Sequence, residues 1–112
     1  MPNCSIVIHT ARRRLEVYEG NQLIRNYSIA VGKEATPTPN GHYTLATKTV
    51  FPGGVFGSRW LGLSIPHYGI HGTNNPASIG QAVSKGCIRM HNHDAESLFQ
   101  LVEMGTPVII RH

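Results

Sequence analysis

The sequence predicts a mostly β domain with a largely antiparallel sheet and one main α-helix near its C-terminal end. Twelve glycines and seven prolines are spread along 112 residues, which suits many short strands joined by turns better than a helical bundle. Several short stretches alternate apolar with polar residues, as strands with one buried face do. A single stretch, near the C-terminal end, has apolar residues at helical spacing.

The first half of the chain reads as four strands separated by turns. A Glu-Gly-Asn step separates the second strand from the third. Residues 33–41 are expected to form a loop, because their two prolines lack the N–H donors that a central strand needs. The predicted strands are 5–10, 13–20, 22–32 and 42–50.

The second half begins with a glycine-rich excursion over residues 51–60. Two further strands are predicted at 61–65 and 68–73. Residues 74–86 are expected to start as a turn, with a short helical turn near Ser78.

The helix is predicted from apolar residues at Ala95, Leu98, Phe99 and Val102, which are spaced i, i+3, i+4 and i+7. Asn92 is the expected N-cap. A glycine at position 105 is the expected stop, and residues 106–111 then read as the last strand.

The bulk composition predicts one globular domain over residues 1–112, either complete or excised from a longer chain. With 40% apolar and 14% charged residues, disordered and fibrous classes are excluded. The two cysteines, Cys4 and Cys87, allow one disulfide at most, and a core of this size needs none.

The net charge and the hydropathy of the sequence indicate which classes of partner to expect, in particular nucleic acid and membranes. A net charge of +4 favours anionic surroundings but is too small to indicate nucleic acid, so no nucleic-acid partner is expected. No stretch approaches the roughly 18 to 20 apolar residues of a membrane span. The first ten residues lack a basic region followed by an apolar run, so no signal peptide is predicted.

Cys87, within "VSKGCIRMHN", is either a buried free thiol or a nucleophile. The attacking species would be the thiolate, so a reactive cysteine needs a neighbour that takes its proton. Histidine is the usual partner, and His71 lies sixteen positions upstream in "YGIHGT", where a predicted strand meets a glycine. A loop of that length could return the chain so that the two side chains meet.

Two longer segments, "AVGKEATPTPNGHYTL" and "YGIHGTNNPASIGQAVSKGCIRMHN", strongly resemble the catalytic domain of the L,D-transpeptidases, the YkuD family. The resemblance runs from about Ile29 to about Val108. The signature of that family is a histidine, a gap like this one, and then Ser/Thr-His-Gly-Cys. The resemblance implies a mixed, largely antiparallel, β-sandwich or barrel-like fold.

Carried over residue by residue, the resemblance makes Cys87 the nucleophile and His71 the general base. Gly72 would orient the imidazole through its carbonyl. The backbone N–H groups around Gly86 and Cys87 would receive the developing oxyanion. Arg89 would bind a substrate carboxylate with its guanidinium fork.

Further residues are expected near the substrate. Ser84 matches the turn of the motif and is as compatible with a turn as with a catalytic role. His67 would line the same cleft. Tyr68, Trp60 and Phe56 would form walls of the groove, although aromatic residues more often belong to a core. Lys85 departs from the family pattern, which has histidine there; with His71 as the base, the lysine is tolerable.

The function implied by the resemblance is acyl transfer on peptidoglycan, without a cofactor or a metal. The donor and the acceptor would be stem tetrapeptides, joined into 3→3 cross-links through a Cys87 thioester, with water as an alternative acceptor giving carboxypeptidase activity. Carbapenem-type β-lactams would inhibit the enzyme, and the place of action would be the cell wall, outside the cytoplasm.

Two other hypotheses remain open from the sequence. One is a zinc site, whose candidate ligands lack the tight spacing of known zinc motifs; they are His67, His71, His91, His93 and Cys87. The other is a wall-binding module with a vestigial active site, suggested by Lys85 in place of the usual histidine.

Overall fold

A computed structural model describes residues 3–112, which form nine strands, one α-helix and two 3₁₀ turns. The helix, α1, spans Asn92–Leu101, and the 3₁₀ turns span Gly54–Phe56 and Pro76–Ser78. The strands are β1 Cys4–His9, β2 Arg14–Glu19, β3 Gln22–Gly32, β4 Gly41–Val50, β5 Arg59–Leu63, β6 Gly69–His71, β7 Ala82–Ser84, β8 Ile88–Met90 and β9 Pro107–Arg111.

The strands form one closed, barrel-like sheet with the order β2-β1-β9-β4-β5-β6-β8-β3-β7, closed by a further pairing of β2 with β3. The eleven residues of β3 make this closure, because its first part pairs with β2 and its last four residues pair with β8 and β7. Three pairs are parallel, namely β1–β9, β3–β7 and β6–β8, and the other pairs of the described sheet are antiparallel. The predicted mostly β, largely antiparallel fold is confirmed.

The core lies inside the closed sheet and follows the alternation seen in the sequence. In β1, every second residue is buried, and Ile6 and Ile8 are completely enclosed. Leu15 and Val17 of β2 repeat the pattern. Each such aliphatic side chain contributes about 1.5 to 3 kcal/mol relative to an exposed position, so burial of the alternate residues favours closure of the sheet.

Helix α1 covers one side of the sheet through Ala95 and Leu98, both buried as the periodicity predicts. Lys48, from β4, donates from its Nζ to the carbonyls of Phe99 and Val102, at 2.7 and 2.8 Å. These carbonyls belong to the end of the helix, where intrahelical partners run out and the helix dipole is negative. A lysine from the sheet therefore supplies the positive charge at this helix end.

The helix boundaries differ from the prediction at both ends. Asn92 is not the N-cap: His91 occupies that position, and the Asn92 side chain bonds instead to the backbone of Ser58 and Thr73. The helix ends at Leu101 with Val102 at the C-cap, so the glycine predicted as the stop lies in the following turn, with φ +91°. Tertiary hydrogen bonds outweighed the local preference for capping in this case.

Cys4 and Cys87, both within the described part of the chain, are free thiols, and Cys4 is buried in the core. Across residues 3–112, no helix has both the length and the apolar character that crossing a bilayer requires.

Candidate active site

The parallel pairing of β6 with β8 brings His71 and Cys87 together. His71 ends β6 and lies opposite Arg89 of β8. Cys87 immediately precedes β8, two positions before Arg89, so both side chains project to the face that carries His71. The segment between β6 and β8 thus returns the chain, as a loop of that length was expected to be able to do.

His71, Cys87 and Arg89 line one cavity of about 310 Å³. Ser84 and Lys85 contribute to its lining from the turn before the cysteine. The remaining wall is apolar and comes from Val55 and Phe56, within the glycine-rich excursion. The cavity therefore combines one thiol, one imidazole and two cationic side chains with an apolar wall.

The His71 ring is fixed from three sides and is only 3% exposed. Its Nδ1–H donates to the Gly72 carbonyl at 2.5 Å, because a carbonyl only accepts, and in the neutral ring the other nitrogen, Nε2, therefore carries no proton. Trp60 stacks on the ring at 5.7 Å between centroids, and Phe56 meets it edge-on at 5.1 Å. The imidazole is thus held in one tautomer and one orientation.

The pKa values of the pair are shifted in opposite directions. Burial lowers the pKa of His71 to about 4, opposed by the Gly72 hydrogen bond and assisted by the positive charge of Arg89. Burial raises the pKa of the Cys87 thiol, while a hydrogen bond from the Gly69 backbone and the Arg89 charge act in the opposite direction. At neutral pH the pair is therefore a neutral imidazole beside a neutral thiol, so the proton must leave the sulfur during attack.

Ser84 closes the turn in front of the nucleophile. Its hydroxyl accepts the Gly86 N–H at 3.0 Å and donates to the Cys87 carbonyl at 2.6 Å. The Gly86 N–H, one of the two donors expected for an oxyanion, is thereby engaged within the turn, which leaves the Cys87 N–H. Gly86 has φ +124°, and a Cβ there would lie 2.5 Å from the Tyr68 ring, so the position requires glycine.

Of the other predicted groove residues, Phe56 lines the cavity, whereas His67, Tyr68 and Trp60 do not. Tyr68 packs against Gly86, and Trp60 lies behind His71. The side chain of His67 is exposed, and the contact of this residue with the site is made by its carbonyl, which accepts from the Cys87 Sγ at 3.6 Å. Lys85 is exposed at the mouth of the cavity.

Sequence reasoning missed two side chains that bond to the backbone of the site. Thr38 donates from Oγ1 to the Gly86 carbonyl at 2.8 Å. Asn92 accepts the Thr73 N–H and donates to the Thr73 carbonyl, both at 3.1 Å. The repeated Thr-Pro in "TPTPNG" was the available signal for Thr38, whereas Asn92 was assigned to the helix cap.

The zinc hypothesis required several histidines to gather around Cys87. Within residues 3–112, no group of three or more His, Cys, Asp or Glu side chains is placed to hold a metal ion. His91 and His93 stack on each other at the start of α1, 5.6 Å between ring centroids.

Comparison with known proteins identifies the family. The sequence model of the L,D-transpeptidase catalytic domain, YkuD, matches residues 5–110, a longer stretch than the resemblance read from the motifs. The chain is 52% identical over 105 residues to a Bacillus licheniformis protein named as the L,D-transpeptidase YkuD, covering 94% of this chain. The chain spans 64% of the length of that relative.

Solved structures have the same fold. An L,D-transpeptidase from Mycobacterium smegmatis superposes with a TM-score of 0.87 at 19% identity, covering 98% of this chain and 59% of that one. Another, LdtMt1 in complex with imipenem, superposes with a TM-score of 0.84 at 19% identity, covering 97% of this chain and 59% of that one. Sequence match and fold thus agree, and the chain belongs to the YkuD family of L,D-transpeptidase catalytic domains.

Proposed function

We propose that this chain catalyses cysteine-dependent acyl transfer on peptidoglycan stem peptides, with residues 1–112 as a single catalytic domain. The observation that carries the proposal is the shared cavity, in which a thiol lies beside an imidazole whose Nδ1–H is held by a carbonyl. That arrangement leaves an unprotonated nitrogen available to take the thiol proton. Membership of the family supplies the substrate class.

In the first half-reaction, Nε2 of His71 takes the proton of Cys87 while Sγ attacks the carbonyl on the L-centre of the third stem residue. The resulting oxyanion is stabilised by the Cys87 N–H. Collapse of the tetrahedral intermediate breaks the amide bond, and the leaving D-alanine takes the proton from His71. A thioester remains on Cys87.

In the second half-reaction, a side-chain amine of a neighbouring stem attacks the thioester. His71 accepts the amine proton and returns it to the departing sulfur, which restores the free thiol and completes a 3→3 cross-link. Water in place of the amine gives carboxypeptidase activity. The chemistry uses no metal or organic cofactor, because the enzyme stores the acyl group on its own sulfur.

The charge of the site suits an anionic donor. Arg89 and Lys85 both line the cavity, and the Arg89 guanidinium can bind the terminal carboxylate of the D-alanine as a two-pronged fork. Val55 and Phe56, which also line the cavity, offer apolar contact to the stem peptide. The same site accounts for the proposed inhibition by carbapenems, whose β-lactam carbonyl would acylate Cys87; the imipenem complex of LdtMt1 supports this.

The vestigial-module hypothesis rested on Lys85, and the arrangement of the site weakens it. Lys85 is exposed at the cavity mouth, whereas His71 is buried and oriented by the Gly72 carbonyl. Because the proposed base, His71, belongs to β6, proton transfer does not depend on a histidine at position 85, immediately before Gly86. We place the activity at the cell envelope, where the peptidoglycan substrate lies.

Incubation with a purified disaccharide-tetrapeptide tests the proposal. We expect mass spectrometry to detect free D-alanine together with cross-linked dimers, or with the disaccharide-tripeptide if water is the acceptor. The same incubation with a disaccharide-pentapeptide is the matched control, because its third residue no longer precedes the terminal residue. A tetrapeptide that stays intact while imipenem still acylates the protein would contradict the substrate assignment alone.

A further inference from the structure

We infer that Thr38 is a positioning residue of the active site, whose buried hydroxyl sets the direction of the Cys87 N–H. The inference rests on the proposed function, in which an oxyanion forms beside Cys87. Thr38 was not among the expected site residues, and its side chain reaches the reaction only through the Gly86–Cys87 peptide group.

The Thr38 hydroxyl is held from both directions. The residue is 8% exposed, its Oγ1 accepts the Gly32 N–H at 2.9 Å, and it donates to the Gly86 carbonyl at 2.8 Å. A hydroxyl has one proton to donate, and the Gly32 N–H occupies an acceptor position. The hydroxyl proton is therefore committed to the Gly86 carbonyl.

Holding that carbonyl fixes the direction of the Cys87 N–H. In a trans peptide group the C=O and the N–H point in opposite directions, so the carbonyl drawn toward Thr38 turns the Cys87 N–H away from it. Gly86 would otherwise allow this peptide group to rotate, since glycine tolerates backbone conformations that other residues avoid. Ser84 already holds the two flanking groups, the Gly86 N–H and the Cys87 carbonyl.

The "TPTPNG" motif explains how a loop can provide such a contact. Thr36 and Thr38 each precede a proline, which restricts both to extended backbone and places their side chains on the same side. Thr36 donates to the Ser84 carbonyl at 3.0 Å, and Thr38 donates to the Gly86 carbonyl. Two threonines two residues apart thus bond to two carbonyls two residues apart. Of the two bonds, only the one from Thr38 holds the Gly86–Cys87 peptide group.

The test separates two reactions of the same sulfur. Acylation by imipenem passes through an oxyanion, whereas alkylation by iodoacetamide does not. We expect Thr38→Val to slow acylation roughly tenfold to a hundredfold and to change the alkylation rate by no more than about twofold. The effect on acylation is smaller than the roughly 10²–10³-fold loss of rate that follows removal of a whole oxyanion donor, because the Cys87 N–H is misdirected but still present. Thr38→Ser keeps the hydroxyl and should restore acylation.

Thr36→Val is the matched control, since it removes a hydroxyl of the same motif that bonds to the Ser84 carbonyl instead. Equal slowing of acylation and alkylation in Thr38→Val, or equal slowing of acylation in Thr36→Val, would overturn the inference in favour of general loosening of the turn. If the wild-type protein is alkylated but never acylated, the proposed acyl transfer is contradicted, and the role of Thr38 that rests on it is contradicted as well. All rates are measured well below the unfolding temperature of each variant.

From a different set of contacts we infer that Asn92 is a positioning residue for His71. The Gly72–Thr73 peptide group directs its carbonyl to the His71 Nδ1, and its N–H donates to Oδ1 of Asn92 at 3.1 Å. The same Oδ1 accepts the Ser58 N–H, and Nδ2 donates to the Thr73 carbonyl. Asn92 thus holds the peptide group that fixes the tautomer of the base.

We expect Asn92→Ala to slow alkylation and acylation together, about tenfold each, because both need His71 to take the thiol proton. Asn92→Asp keeps the acceptor for both N–H groups and should recover most of the rate. A proton spectrum of ¹⁵N-histidine-labelled protein supplies the independent readout, in which the hydrogen-bonded Nδ1–H signal of His71 is expected to be lost in Asn92→Ala. Retention of that signal and of both rates would overturn this role.

Discussion

Replacing Cys87 by alanine is expected to abolish covalent acylation completely. Wild-type protein incubated with imipenem should gain the mass of one β-lactam, and Cys87→Ala should keep its unmodified mass at any incubation time. The reason is chemical, since the thioester requires the sulfur, and alanine has no atom that can replace it. Intact-mass spectrometry measures the result directly.

Cys4 provides the matched control, because it is the other of the chain's two cysteines and lies buried in β1. Cys4→Ala removes one buried sulfur at a cost of roughly 1 kcal/mol and should retain the adduct. An adduct that persists in Cys87→Ala would show that another group is acylated. An unmodified wild-type protein after long incubation would favour the vestigial wall-binding module.

The sequence alone was sufficient to predict the strands and the helix whose hydrophobic periodicity extends over several consecutive residues. Alternation over six residues predicted β1 and β2, because every second side chain enters the closed sheet. The helix was also predicted from local spacing, and Leu98 is fully buried as expected. Periodicity needs several residues to be visible, however, and β7 and β8 have three each. These two strands were missed, whereas β6, which is equally short, was predicted as part of the longer segment 68–73.

His71 and Cys87 were paired in the sequence from the motif resemblance and from a separation of sixteen positions, which could hold a returning loop. The structure returns the chain through the parallel pairing of β6 with β8, which needs a connection of about a dozen residues or more. Thr38 and Asn92 could not be found in the same way. Both act through backbone groups that are distant in sequence, and only the closed fold brings the "TPTPNG" loop and the start of α1 against the two loops of the site.

Replacing His71 by alanine should have the second largest effect, slowing acylation by about 10²–10⁴. His71 is the group that takes the thiol proton, and the raised pKa of the Cys87 thiol keeps that proton in place without a base. Lys85→His is the matched comparison: it restores the usual family residue at an exposed position and should change the rate by no more than a few fold. Stopped-flow measurement of imipenem acylation gives both rates. If Lys85→His changed the rate more than His71→Ala did, His71 would not be the base.

The pH dependence of acylation distinguishes a buried His71 from an ordinary histidine. A base acts only in its unprotonated form, so the rate constant should fall as the pH drops through the pKa of His71. Burial lowers this pKa from 6.5 to about 4, and the acid limb should move down with it. Acylation is therefore expected to be nearly constant between pH 5 and 8 and to fall near pH 4. A fall centred near pH 6.5 would mean that the imidazole is hydrated, which would contradict the enclosure by Trp60 and Phe56 that orients it.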